Sequence, residues 1–205
     1  MCPFVADDEA VGMGGTIAKY VSEGFNIVKA VFSYGESSHP HFQEAVMISK
    51  RIEETEKASK FIGIEKTIFL GLRDTKVKAD VETSNAMQMV KDLIKEYKPI
   101  KIYIPSSIDP HPDHQAVNKT VLCTVDSFRK KYPVYEFEVW NILQGNKPML
   151  FEDITNFYKK KLKYMKYFTS QWQYMYLLWL PVYFRSRQYG KKHGCKLAEK
   201  FYKVR

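Results

Sequence analysis

Two short runs of residues in this chain have the side chains for chemistry. The first is Asp109-Pro110-His111-Pro112-Asp113-His114, which closes an apolar strand and opens a helix. Two imidazoles and two carboxylates in one such run supply what metal-assisted hydrolysis needs. One imidazole serves as a ligand, a second answers developing charge, and a carboxylate fixes a ring tautomer. The second run is Asp7-Asp8-Glu9, just ahead of Gly12-Met13-Gly14-Gly15-Thr16. A solvated turn would account for either run alone, and a helix capped by Asp113 for the first. The two together, in this order, point to a metallohydrolase.

The elements that must position these runs follow from periodicity. Residues 25–32, 67–70, 100–104 and 135–140 read as strands. Between them, Ala45, Ile48, Ile52, Thr55, Ser59 and Ile62 keep helical spacing up to Gly63, a C-cap residue. Ala86, Met89, Val90, Leu93, Ile94 and Tyr97 form a second stripe, ended by Pro99. Ala116 to Phe128 carry a third. Strands alternating with helices of this length predict an α/β fold with a largely parallel sheet, helices on both faces and right-handed crossovers. Sites in such sheets form beyond the carboxyl ends of the strands, where both acidic runs, Tyr34-Gly35-Glu36 and Arg73-Asp74 then fall.

The bulk numbers narrow the classes. A chain of 205 residues, 45% hydrophobic, buries a full core as one domain. Charge is unevenly spread: the net +9 belongs almost wholly to residues 151–205, with 13 Lys and Arg against 3 Asp and Glu, and residues 1–150 are near neutral. We therefore expect a core over 1–150 and a basic, aromatic-rich C-terminal helical segment over 151–205 packed on it, with Gln144-Gly145-Asn146-Lys147-Pro148 at the break. Such a segment suits nucleic acid, an anionic membrane surface or a phosphorylated substrate, and equally a solvated helix face with an aromatic lid. No nucleic-acid-binding motif accompanies it, so nucleic acid is not an expected partner. Cys2, Cys123 and Cys195 are odd in number and scattered, which indicates reduced thiols and a cytoplasmic setting. Asp7, Asp8 and Glu9 stand where a signal peptide would be apolar. The longest apolar stretch, Tyr174 to Phe184, contains Pro181 and is too short to span a bilayer.

The chain resembles the PIG-L/LmbE-like deacetylases, zinc enzymes that remove acetyl groups from N-acetylglucosamine units. The resemblance runs through Asp7-Asp8-Glu9, the glycine-rich helix start at Gly12–Thr16, Tyr34-Gly35-Glu36, Arg51 with Glu53 and Glu54, and Phe69-Leu70-Gly71-Leu72. It continues through His111-Pro112-Asp113-His114, Ser170-Gln171, Arg187 with Gly190, and Ala198-Glu199 with Phe201. It implies a Rossmann-like fold and a set of roles. Asp8 and His114 match metal ligands for zinc. Asp7 matches the general base that deprotonates the attacking water. His111 matches the residue that stabilises the oxyanion and passes a proton to the leaving amine, and Asp113 a carboxylate that orients an imidazole. Arg51 matches an arginine near the sugar; the competing reading is a surface Arg paired with Glu54 or Glu56. The implied partner is an amino-sugar small molecule or glycoconjugate, with homo-oligomerisation left open. Tyr164, Tyr167, Trp172, Tyr174, Tyr176 and Trp179 are candidates to stack on sugar faces.

One position departs from the family pattern, which has His-Pro before the two aspartates and takes its first metal ligand there. Here the pair is Val5-Ala6. Valine has no donor atom, so two protein ligands remain where three are usual. The first strand is expected to be a truncated stub of Cys2 to Ala6, interrupted by Pro3, which has no N–H for a ladder. His39 and His41 are the alternative donors nearby; Glu9 is expected to turn away. Two readings follow: a metal-dependent N-deacetylase, and an impaired pseudoenzyme or truncated form that binds a sugar.

Overall fold

A computed structural model of the chain describes residues 2–4, 7–38, 43–140 and 147–205. Strand β1 (Cys2–Phe4) leads into helix α1 (Asp8–Ser22), and β2 (Val28–Ser33) into α2 (Glu44–Ile62). Strand β3 (Lys66–Leu72) is followed by α3 (Val77–Thr83) and α4 (Ala86–Tyr97). Then come β4 (Ile102–Pro105), α5 (Pro112–Asp126), β5 (Val134–Phe137) and β6 (Met149–Asp153). Helices α6 (Tyr158–Met165) and α7 (Trp172–His193) precede the last strand, β7 (Ala198–Lys203).

The strands form two hydrogen-bonded sheets, β1-β2-β3 and β4-β5-β7-β6. Pairs β1–β2, β2–β3 and β4–β5 are parallel; β7 runs antiparallel between β5 and β6. Strand β1 also lies against β4. Its described part has three residues, with Pro3 in the middle, and pairs with β2 through Cys2, Pro3 and Phe4.

Helices cover both faces, as the alternation predicts. Strand β4 shows how. Ile102 and Ile104 enter one apolar cluster with Val90, Ile94, Val117 and Val121 of α4 and α5, while Tyr103 enters the other with residues of α1, α6 and α7. That is the two-residue period of a strand buried on both sides.

The C-terminal segment differs from the expectation. Helices α6 and α7 are there, but residues 149–153 and 198–203 also supply two strands, and β7 takes a central position beside β5. Strand β7 reads as polar because it carries Glu199 and Lys200. Both are buried, since other elements meet their charges: Glu199 accepts from Thr16 N (2.7 Å), Thr16 Oγ1 (2.6 Å), Gly15 N (3.0 Å) and Lys161 Nζ (2.5 Å), and Lys200 Nζ lies 2.8 Å from Glu138. Glu199 thereby caps α1 where that helix breaks at Met13 (φ −147°, ψ 16°) and restarts. A Cβ at Gly15 would fall 2.8 Å from Ile154, and one at Gly12 2.3 Å from the Phe137 ring, so glycine permits the close approach of α1 to its neighbours.

Candidate active site

The carboxyl ends of five strands converge on one pocket of about 290 Å³. Asp7 and Asp8 follow β1, Gly35 and Ser37 follow β2, and Asp74 and Thr75 follow β3. His111 and His114 follow β4, and Val139 and Trp140 follow β5. Tyr174, Met175 and Leu178 of α7 close the side. Between β1 and β4, the order of the strands reverses, and that is where open α/β sheets leave a crevice.

At its centre, His114 Nε2 lies 2.9 Å from Asp8 Oδ2, and His114 Nδ1 lies 2.9 Å from Asp109 Oδ1. All three side chains are buried. Burial disfavours a charged ring, yet the Asp8 and Asp109 carboxylates outweigh it and push the His114 pKa up to about 10. Burial raises the Asp8 carboxyl, against the pull of His114. Burial also opposes the charge on Asp109, but His114 and the N–H groups of His111 and Trp140 hold it below the usual carboxylate range.

These donors suit a divalent cation. An imidazole nitrogen and a carboxylate oxygen are both common zinc ligands, and here they meet directly at 2.9 Å. Asp8 Oδ2 and His114 Nδ1 are buried without a well-directed hydrogen bond, despite the short contacts. Among the described residues, no group of three His, Cys, Asp or Glu side chains is arranged to hold a metal ion. Val5, Ala6, His39 and His41 lie outside the described residues.

Beside this pair stand the other predicted residues. His111 caps α5 by accepting from Asp113 N at 3.2 Å through Nδ1, so neutral His111 carries its proton on Nε2. The His111 ring stacks on His114, centroids 4.8 Å apart. Pro112 takes the first helical position, where a missing N–H costs nothing. The cap is therefore His111 and not Asp113. The Asp113 carboxylate accepts from Thr75 N at 2.7 Å, while the carboxylates within 2.9 Å of an imidazole nitrogen are Asp8 and Asp109. Burial raises the Asp113 carboxyl. Thr75, with φ at 62°, is a β-branched residue in the left-handed region, held there beside the pocket.

Arg51 is 2% exposed and joins neither Glu54 nor Glu56. Its Nη2 lies 3.3 Å from Asp7 Oδ1, Nε donates to Tyr34 O at 2.8 Å, and Nη1 to Ser170 Oγ at 3.3 Å. Glu54 instead accepts from Thr169 Oγ1 and from Ser170 N and Oγ. Of the six aromatic candidates, Tyr174 lines the pocket, edge-on to Trp140 at 6.2 Å; Tyr164 is core and bonds Glu9. Trp140 and Thr75 are lining residues that the sequence pattern did not single out as site residues, whereas Gln171, quoted with Ser170, also lines the pocket.

Comparison with known proteins places this site in a family. The family profile described as PIG-L, GlcNAc-PI de-N-acetylase, matches residues 6–125, more than half of the chain. The chain belongs to that family. It is 24% identical over 211 residues to a diacetylchitobiose deacetylase of Thermococcus kodakarensis, covering 94% of this chain and 78% of the relative. Among solved structures, an N,N'-diacetylchitobiose deacetylase of Pyrococcus horikoshii superposes with a TM-score of 0.84 at 21% identity, over 99% of this chain and 82% of its own. GalB of Pseudomonas putida, a 4-carboxy-2-hydroxymuconate hydratase, reaches 0.81 at 21% identity, over 100% and 95%. The α/β fold is thus shared by proteins of different named activities, and the reaction must be argued from the site.

Proposed function

We propose that the chain is a zinc-dependent N-deacetylase acting on an N-acetylglucosamine-containing substrate. The observation that carries this reading is the meeting of Asp8 with His114 in a pocket that Asp7 and His111 also line. Asp8 and His114 would hold the cation, which when bound supplies a Lewis acid for the acetyl carbonyl and acidifies a water. Asp7, held by Arg51, takes the proton from the attacking water. His111 donates from Nε2 to the oxygen that becomes negative, since its Nδ1 is occupied by the Asp113 N–H. The carbonyl carbon gains a bond to the water oxygen and loses its bond to nitrogen. The proton passes to the leaving amine, so the products are acetate and a free amino sugar. Trp140 and Tyr174 offer aromatic faces to the sugar ring. The scattered thiols, of which Cys123 and Cys195 are free, fit the cytoplasm. No helix among the described residues is long and apolar enough to cross a membrane.

A second reading rests on the Val5-Ala6 pair of the sequence: valine has no donor atom, and the chain is then a pseudoenzyme that binds the sugar without turning it over. Acetate release from N,N'-diacetylchitobiose, with and without zinc, decides between them. Release that a chelator abolishes supports the deacetylase; release that survives chelation removes the metal from the reaction. Binding without release under any divalent metal supports the pseudoenzyme. In that event, Val5→His with Ala6→Pro should raise zinc affinity in a calorimetric titration by adding the third donor.

A further inference from the structure

The pocket accounts for one side of α7 only. Met175 and Leu178 line the pocket and Val182 enters the core. On the outer side, Trp172, Tyr176, Leu177, Leu180 and Phe184 are 62–70% exposed. Residues 172, 176, 180 and 184 recur at four-residue spacing, so they stack in one stripe roughly 18 Å long. A groove of about 210 Å³, floored by Met165 and Phe168 and flanked by Trp172, Tyr176 and Trp179, opens at the N-terminal end of the stripe. Lys166 stands at its rim, with Nζ 4.9 Å from the Trp179 ring centre.

Charge around this stripe has one sign. From Ile154 to Ala198 the chain has no Asp or Glu, and it has ten Lys and Arg. Lys161 and Arg185 turn inward to Glu199 and Glu138. Lys159, Lys163, Lys166, Arg187, Lys191 and Lys192 are exposed.

We propose that the outer face of α7 docks on an anionic phospholipid bilayer, the apolar stripe entering the headgroup boundary and the lysines meeting the anionic headgroups. Trp, Tyr, Leu and Phe beside Lys and Arg make the composition of a helix lying in that plane. A second copy of this chain is a poorer occupant, because the basic face repels its own image and protein interfaces are depleted in lysine. A nucleic acid would answer the lysines and leave Leu177, Leu180 and Phe184 without a partner. The inference does not depend on the deacetylase reading, since none of these stripe residues lines the candidate site.

Sedimentation of the full chain with vesicles tests it. Binding is expected to phosphatidylcholine vesicles containing phosphatidylglycerol, to fall with added salt, and to be absent for phosphatidylcholine alone. Leu177→Glu with Leu180→Glu should abolish it, and Lys191→Glu with Lys192→Glu should weaken it at least about 25-fold, at about fivefold per cation. All four side chains are exposed, so thermal melting should not change. Failure to bind anionic vesicles, or binding that the leucine pair does not alter, overturns the proposal. So does an oligomer that the leucine pair converts to monomer, which assigns the face to a second copy. Tighter retention on a single-stranded oligonucleotide than on vesicles would assign the basic segment to nucleic acid and also overturn it.

Discussion

Asp8 and Glu9 are neighbours in the chain, both buried and both acidic, and they meet different partners. Glu9 turns into the core between β2 and α6, where Lys29 Nζ and Tyr164 OH (2.5 Å) both reach Oε1. Asp8 turns to the pocket and meets His114. Burial does not distinguish them, and burial raises both carboxyls. The partner does. Lys29 is a fixed cation delivered by a central strand, so Glu9 is compensated within the core. The partner of Asp8 is an imidazole whose proton can leave and whose site a metal ion can then occupy. Glu199 with Lys161 repeats the Glu9 arrangement at the helix break. A buried charge matched by a buried opposite charge builds the fold; one matched by an exchangeable proton at a pocket wall is available for chemistry.

The largest effects should come from the pocket side. Asp7→Asn is expected to lose about 10²–10⁴-fold in acetate release while retaining metal, and His111→Ala about 10²–10³-fold. Loss of bound metal in Asp7→Asn would show that Asp7 is a ligand. On the core side, Lys29→Met should destabilise by about 3–5 kcal/mol in urea unfolding, because it leaves Glu9 buried and unpaired. Asp8→Asn should abolish metal binding and destabilise the metal-free protein at neutral pH by less than Lys29→Met, because Asp109 still faces His114 and the ring can lose its proton. Equal destabilisation by the two substitutions would break the contrast.

Smaller effects sharpen it. Asp109→Asn should weaken zinc binding about 10–100-fold through loss of the partner of His114 Nδ1, more than Asp113→Ala, whose carboxylate holds Thr75. The reverse order would return Asp113 to the orienting role. The contrast extends to pH dependence. With its folded pKa at about 10, above the ordinary 6.5, His114 contributes stability to metal-free protein that is complete below about pH 6.5 and lost as pH rises through 10. Unfolding midpoints measured in chelator across that range should fall for the wild type and fall less for Asp8→Asn, in which Asp109 still faces the ring.

Much of the fold was legible because strands and helices carry their own periods: α2, α4 and β3 lie within a few residues of their sequence-expected bounds. Strands β6 and β7 were not, since Glu199 and Lys200 hide a buried strand behind charges that only Thr16, Lys161 and Glu138 explain. Arg51 was ambiguous for the same reason: its helix period places it on a face without saying that Tyr34, Ser170 and Asp7 line that face.

By itself, the order of residues determined which donor atoms exist and where they must gather. Alternating strands and helices with right-handed crossovers send the ends of β1 and β4 to the same edge, and Asp8 with His114 follows. Which carboxylate touches which ring was decided only in three dimensions. Asp109 and Asp113 stand on either side of His111, so motif spacing cannot rank them. The turn after β4 aims Asp109 at His114, while the first turn of α5 aims Asp113 at Thr75 on another loop. Side-chain direction depends on the phase of each element and on neighbours distant in sequence, and those exist only once the sheet has formed.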